Sequence, residues 1–417
     1  MQFHIVTAGQ TAEEIAGAYG VSPAQLTAWN TAPFALGQCL LVLEPETEYT
    51  VVQGDTLYGI SQATGVSLRT LWQNNPALAG ETAIFPGQRL VLSYRDVPTY
   101  PAQVYGYAYP FVKPELLRQL LPYAGALVPF TYGISQDGGL VDLNDGGLIA
   151  AARDYGVSPW MHLSTLTEAG TFSVERATQV LNNEVMQETL IRAVTENLRQ
   201  KQYQGMDVDF EFLGKENAAA YGAFVAKLRQ AVSPLPLLTA LAPKTSKDQP
   251  GLLYEGHDYA LLAERSDGVL LMTYEWGYTY GPPMAVAPLP SVRRVVEFAL
   301  TQMPASKIYL GFPNYAYDWP LPFVAGSTKA QSISNEEAVA RAVRFGAEIR
   351  YDEEAQTPWF TYESEGITHE VWFEDVRSAR AKYALVPEYG LKGIGFWNFM
   401  RPFRQGFCLL PRVLAVR

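Results

Sequence analysis

The sequence is short of charge and almost free of cysteine. Only 18% of its 417 residues are charged, and the net charge is −11. No run of Lys or Arg stands out, which excludes the basic footprint that nucleic acid binding requires. The two cysteines, Cys39 and Cys408, lie near opposite ends, so buried free thiols are expected rather than a disulfide framework. The four histidines (His4, His162, His257, His369) show no metal-ligand spacing, and neither a metal nor another cofactor is expected. No apolar run approaches the ~18 residues of a membrane span. The opening MQFHIVTAGQ has no basic segment followed by an apolar one, so no secretory signal is expected.

Apolar residues make up 48% of the chain, and the 25 tyrosines and 8 tryptophans are numerous. Such rings pack cores, and they also line carbohydrate and peptide clefts because each joins an apolar body to a polar handle. The length predicts two or three domains.

The first hundred residues repeat. Gly9-Gln10-Thr11 matches Gly54-Asp55-Thr56, an offset of 45, as do Ile15 and Ile60, Gly20-Val21-Ser22 and Gly65-Val66-Ser67, and Leu26 and Leu71. Gly37-Gln38 then matches Gly87-Gln88, with five extra residues in the second copy. Each copy reads as strand, helix, helix, strand, a unit small enough to be one supersecondary element. In the second, residues 49–52 are β-rich, Asp55 or Thr56 can cap a helix that Gly65 ends, Ser67 starts another, and 89–92 close the unit. Residues 96–101, with two prolines, read as a linker that separates two cores.

Beyond it, short apolar β-type runs alternate with amphipathic helical segments. Candidate strands are 104–109, 126–132, 159–163, 206–212, 237–242, 268–274, 308–312 and 393–397, with helical patterns at 184–200, 217–232 and 292–303. This alternation predicts an α/β fold, a (β/α)8 barrel with catalytic groups at the C-terminal strand ends. The long gap at about 313–389, with β-type pieces near 347–351, 359–362 and 370–373, predicts a small α+β insertion between strands seven and eight.

The fourth candidate strand reads Gly205-Met206-Asp207-Val208-Asp209-Phe210-Glu211-Phe212. Strand side chains alternate faces, so Asp207, Asp209 and Glu211 point into the barrel, about 6–7 Å apart, while Met206, Val208, Phe210 and Phe212 point out under the helices. No basic residue on another candidate strand neutralises them. Like charges in a poorly solvated interior cannot all persist, so at least one acid keeps its proton, as a general acid must.

These motifs carry resemblances. The second repeat, YTVVQGDTLYGISQATGVSLRTLWQNNP followed by FPGQRLVL, closely resembles a LysM domain, a βααβ module that binds N-acetylglucosamine-containing glycans; Gln10 and Ala12 make the first copy a looser match. The resemblance places LysM domains at 1–46 and 47–95 and implies glycan contacts at Gly54, Asp55, Thr56, Leu57, Pro76 and Ile84. The acid-bearing strand resembles the D-x-x-D-x-D-x-E signature of family 18 glycoside hydrolases, with Gln204 in place of the first Asp. That makes 102–417 the catalytic barrel. It implies Glu211 as proton donor, Asp209 as the group orienting the substrate's 2-acetamido group, Asp207 as its support and Tyr274 as a donor to the acetamido carbonyl. Met272, Tyr274, Glu275 (for the usual Asp), Tyr315 and Trp397 match further segments of that family, and Tyr107 joins them as a substrate-binding candidate. The whole chain, including LAPKTSKDQPG and HEVWFEDVRS, is similar to the cortex-lytic N-acetylglucosaminidases of spore-forming bacteria. From this follow the expectations of a peptidoglycan substrate, no cofactor, a monomer, and a place in the spore coat or cortex, with the cell wall as alternative.

Overall fold

The computed structural model describes all 417 residues, Met1–Arg417. Strands Pro101–Ala108, Ala126–Pro129, Met206–Asp209, Leu237–Leu241, Gly268–Leu271, Ile308–Pro313 and Gly393–Trp397 lie side by side and parallel. One further strand is split at Trp160: Ser158–Pro159 pairs with Ala126 and Leu127, and Met161–Ser164 pairs with Met206–Asp209. Gly395 of the last strand pairs with Tyr105 of the first, which closes the (β/α)8 ring. Parallel strands covered on both faces must be apolar throughout, and Leu237–Leu241 (LLTAL) is buried at every position.

The helices follow their apolar stripes. Glu184–Lys201, capped by the Asn183 side chain on Met186 N, buries Leu190, Val194 and Leu198, one face of an α-helix. Ala218–Val232 does the same with Tyr221, Phe224, Val225, Leu228 and Val232.

Five strand expectations run too long: the ladders end at Pro129, Asp209 and Leu271, and, one residue early, at Ala108 and Leu241. Beyond these points the chain turns into loops at the barrel mouth, with one further parallel bridge between Tyr132 and Leu163. Phe212 is therefore not tucked under the helices: at φ +58 it turns outward and is 44% exposed.

The insertion is an antiparallel five-stranded sheet ordered Gln331–Ile333, Ala316–Pro320, Ile367–Trp372, Thr357–Ser364, Arg350–Asp352, with helix Asn335–Phe345 against it. It is shorter than expected. The helices Val376–Tyr383 and Leu385–Tyr389 place Val376, Ala379, Tyr383, Leu385 and Val386 in the main core, so they belong to the barrel's helical layer.

At the front, Gln2–Ile5 pairs with Cys39–Val42 and Pro45–Thr50 with Arg89–Tyr94, each hairpin framing two helices. Thr11, Ser22, Thr56 and Ser67 cap those helices, so Thr56 rather than Asp55 takes the cap. The core expected to stand apart ahead of the linker does so only in the second module, where Val51, Leu57, Ile60, Leu71, Leu78 and Leu90 form a small cluster; the first module is not separate from the barrel. Strand pairing already begins at Pro101, and Ile15, Leu26 and Trp29 share one continuous apolar core with Leu120, Phe407 and Leu410 of the barrel. Gln405 donates to Asn30 Oδ1 (2.7 Å) and Cys39 O (2.9 Å), and Arg69 donates to Pro122 O (2.9 Å) and Ala124 O (2.8 Å). Both cysteines are buried free thiols.

Candidate active site

The acids gather where the fourth strand leaves its ladder. Asp207 is fully buried and accepts a 2.7 Å hydrogen bond from Tyr107 O–H. Asp207 Oδ1 and Asp209 Oδ1 are buried without a hydrogen-bond partner, an arrangement folded proteins rarely keep unless the atoms serve a ligand or chemistry. Burial pushes the Asp207 carboxyl up to about 6. Burial, then the charges of Glu211 and Asp207, hold Asp209 well above the usual range. Glu211, just past the ladder, is pushed up to about 7 by burial and by the charge of Glu275. Two like charges about 6 Å apart at an effective dielectric near 20 repel by about 3 kcal/mol, or about two pKa units, so neighbouring charge is a large enough effect to matter here. At neutral pH this cluster holds a proton.

A basic residue does face the acids, contrary to expectation. His162, on Met161–Ser164, pairs in register with Asp207, and its Nε2 lies 3.5 Å from Asp207 Oδ2 and 3.8 Å from Asp209 Oδ2. Burial holds the ring down to about 3, so it is neutral and supplies no counter-charge. Its Nδ1 lies 2.6 Å from Thr131 Oγ1. His162 was legible in principle, because the alternation of the MHLS run puts it on the same face as Ser164 once that strand is set beside the acidic one. Thr131 had no such signal, since it lies beyond the end of its strand.

The other barrel residues converge on the same mouth. Burial, then the charges of Asp209, Glu211, Glu275 and Asp207, hold the Tyr274 phenol well above its usual range, so it remains an O–H donor. Gly311 makes room for that ring: a Cβ there would stand 2.9 Å from Tyr274 Cε1 and 2.4 Å from Leu271 O. Glu275 occupies a left-handed conformation at φ +67, and its carboxylate accepts hydrogen bonds from Tyr315 and Tyr317, the latter at 3.2 Å. A non-glycine residue holds that conformation at a cost on the order of 1–3 kcal/mol, which the Tyr315 and Tyr317 hydrogen bonds help to offset here. Tyr317 is a further residue missed in the sequence; it arrives from the insertion's first strand. Trp397, half-buried, sets its ring 5.4 Å from Tyr107 and 4.8 Å from Phe130, and Met272 packs in the same apolar cluster. Gln204 lies ahead of the strand and is exposed, so the missing Asp of the motif falls away from the mouth.

The remaining candidates sit on the second N-terminal module. Asp55 Oδ2 accepts from Val52 N (2.8 Å) and Tyr49 O–H (3.0 Å), so its carboxylate braces its own turn. Leu57 is buried, Pro76 opens a 3₁₀ turn, Gly54 and Thr56 are exposed, and Ile84 is half-buried. Around them Val52, Tyr58 and Phe85 are exposed at 56%, 63% and 69%. No cluster of His, Cys, Asp and Glu could hold a metal ion, and no helix is long and apolar enough to cross a membrane.

Comparison with known proteins gives the family and the fold. The family model "Glycosyl hydrolases family 18" matches residues 170–401, and the LysM domain model matches residues 4–33 and 49–93. The cortical fragment-lytic enzyme of Bacillus subtilis (strain 168) is 40% identical over 299 residues, covering 71% of this chain and 69% of that protein. The crystal structure of the Bacillus cereus spore cortex-lytic enzyme SleL superposes with a TM-score of 0.84 at 32% identity, covering 100% of this chain and 98% of that one. A chitinase from Chromobacterium violaceum shares the barrel fold at 23% identity and a TM-score of 0.68, covering 75% of this chain and 98% of its own. With its acid-bearing strand inside the matched segment and LysM domains ahead of it, this chain belongs to glycosyl hydrolases family 18 and is a glycosidase.

Proposed function

We propose that this glycosidase cleaves N-acetylglucosamine linkages in spore cortex peptidoglycan by a retaining, substrate-assisted route. The observation that carries the reading is the cluster of Asp207, Asp209 and Glu211: Asp207 and Asp209 each keep a buried carboxylate oxygen without a hydrogen-bond partner, and burial raises all three acids toward holding a proton near neutral pH. Glu211 donates that proton to the glycosidic oxygen as the bond from the anomeric carbon to that oxygen breaks. The 2-acetamido oxygen forms the new bond to the anomeric carbon, so no protein nucleophile is needed, an exception to the two-carboxylate scheme. Asp209 accepts from the acetamido N–H and balances the charge that develops there, while Asp207, held by Tyr107, supports it. Tyr274 donates to the acetamido oxygen. The Glu211 carboxylate then takes a proton from water, which attacks the anomeric carbon, opens the ring formed with the acetamido group and leaves the original configuration.

Trp397 floors the sugar subsite, with Met272, Glu275 and Tyr315 lining it. Gly54, Asp55, Thr56, Leu57, Pro76 and Ile84 form the glycan face of the second module. The peptidoglycan assignment and a place in the spore rest on relatives matched over the full chain. The acting form is a monomer. Digesting purified cortex fragments and chitin oligomers side by side, with mass spectrometry of the new reducing ends, tests the reading. Cortex fragments ending in N-acetylglucosamine are expected. Turnover of chitin alone would make the protein a chitinase, and turnover of neither would make it a glycan-binding coat protein.

A further inference from the structure

The two N-terminal repeats close the same loop with the same hydrogen bonds. Asn30 and Asn75 each donate Nδ2 to the helix behind (Leu26 O at 2.9 Å, Leu71 O at 2.8 Å) and to the closing strand (Leu41 O at 2.8 Å, Val91 O at 2.9 Å). Gln38 Oε1 accepts from Ala35 N at 2.9 Å, and Gln88 Oε1 accepts from Phe85 N at 3.0 Å. Ala35 is thus the counterpart of Phe85, and Gly37 of Gly87.

Their surroundings are opposite. Phe85 is 69% exposed, whereas Ala35 is 2% exposed and packs with Ala316, Ile333, Ile349 and Phe360 of the insertion. A Cβ on Gly87 would meet nothing within 4 Å, but one on Gly37 would lie 2.1 Å from Ile349 O. The Ile349 N–H donates to Leu36 O at 2.9 Å. The loop that stands free in the second module is, in the first, docked on the insertion. On the other wall of that face residues 7–11 stay exposed, as do Ala32, Pro33 and Leu36.

We infer that the first module is an internal clamp: its ligand loop is occupied by this chain's own insertion, and the protein presents a single glycan face, on the second module. This rests on the proposed glycan binding of the second module. The clamp has a catalytic consequence, because the insertion it grips also supplies Tyr315 and Tyr317, which hold Glu275 at the barrel mouth. Alanine at position 35 follows from the same geometry, since an aromatic ring there would have no space to enter.

Nuclear magnetic resonance of the full chain carrying Glu211→Gln, titrated with chitotetraose, tests this without hydrolysis of the probe. Outside the barrel, shift changes are expected at Gly54 and Phe85 and not at Gly9 or Leu36. Saturable changes at Gly9 and Leu36 would overturn the clamp. Absence of change in both modules would instead overturn the glycan reading of the second module and the single-face inference with it. A second arm uses Gly37→Ala and Phe85→Ala in the full chain. Gly37→Ala is expected to lower Tm and reduce turnover of soluble fragments at least fivefold, while its affinity for insoluble peptidoglycan stays within twofold. Phe85→Ala is expected to keep its Tm and weaken that affinity at least fivefold. If Gly37→Ala does not fold, Ala35→Ser serves the same test with a milder change. A module 1 variant that loses peptidoglycan affinity at unchanged Tm would sink the proposal.

Discussion

His162 Nε2 stands 3.5 Å from Asp207 Oδ2 inside the barrel, and burial keeps the ring uncharged. A neutral imidazole packed against buried carboxyls holds their place by contact, with no hydrogen bond from Nε2 and no stabilisation of their ionised forms by charge. Replacing it with Gln should therefore lower kcat at least about tenfold through misplacement of Asp207 and Asp209. The alkaline limb of the pH–rate profile should stay where it is. A limb displaced by a full unit would show that His162 carries a proton and charge in the working enzyme.

Removing the acid should separate activity from stability. Glu211→Gln is expected to cut turnover by roughly 10²–10⁴-fold while glycan binding survives. Because burial and Glu275 raise the folded-state value to about 7 from 4.5, ionising Glu211 opposes folding. Its contribution is fully present below the unfolded value and is lost as pH rises through 7. The Gln variant should thus be more stable than the parent at pH 8, by on the order of 2–3 kcal/mol, with the gap shrinking toward pH 4.5. Urea unfolding across that range measures it, and a variant less stable at pH 8 would contradict the buried-charge account.

The charge of Glu275 acts on Glu211 directly. Glu275→Gln should lower the pKa of the proton donor, since the like-charge penalty on its ionisation disappears. Asp209→Asn should shift it the same way, because the acids titrate as a coupled group. In both variants the alkaline limb of kcat/KM moves toward acid, on top of a loss in rate. A limb fixed in place in both would mean that the acids are electrostatically independent.

Truncation tests the shared core. Deleting residues 1–96 strips Ile15, Leu26 and Trp29 from the face that Phe407 and Leu410 cover, and leaves Gln405 without Asn30 and Cys39. Each large apolar side chain lost from such a core is worth about 1.5–3 kcal/mol. The isolated barrel should therefore be soluble only in part and melt well below the full chain in calorimetry. An unchanged Tm would mean that the modules and the barrel fold independently.

Alternation on strand four fixed which side of the sheet Asp207 and Asp209 occupy, because the two-residue period is a property of extended backbone, whereas Glu211 lies past the strand's end. The helix stripes of Glu184–Lys201 and Ala218–Val232 were readable from the 3.6-residue period of the α-helix, as were the repeats and the second copy's caps. Local chemistry specified these elements, and the acid motif carried the family with it. What local chemistry could not specify is which strands become neighbours. His162 meets Asp207 only because strand three pairs with strand four in that register, and Glu275 meets Tyr315 and Tyr317 only because the insertion folds back over the mouth. The fate of the first module was also a tertiary decision. Its loop shares Gly37-Gln38 and the Asn30 brace with its twin, and the packing of Ala35, where the twin has Phe85, against Ile349 and Phe360, about three hundred residues away in the chain, turned it inward.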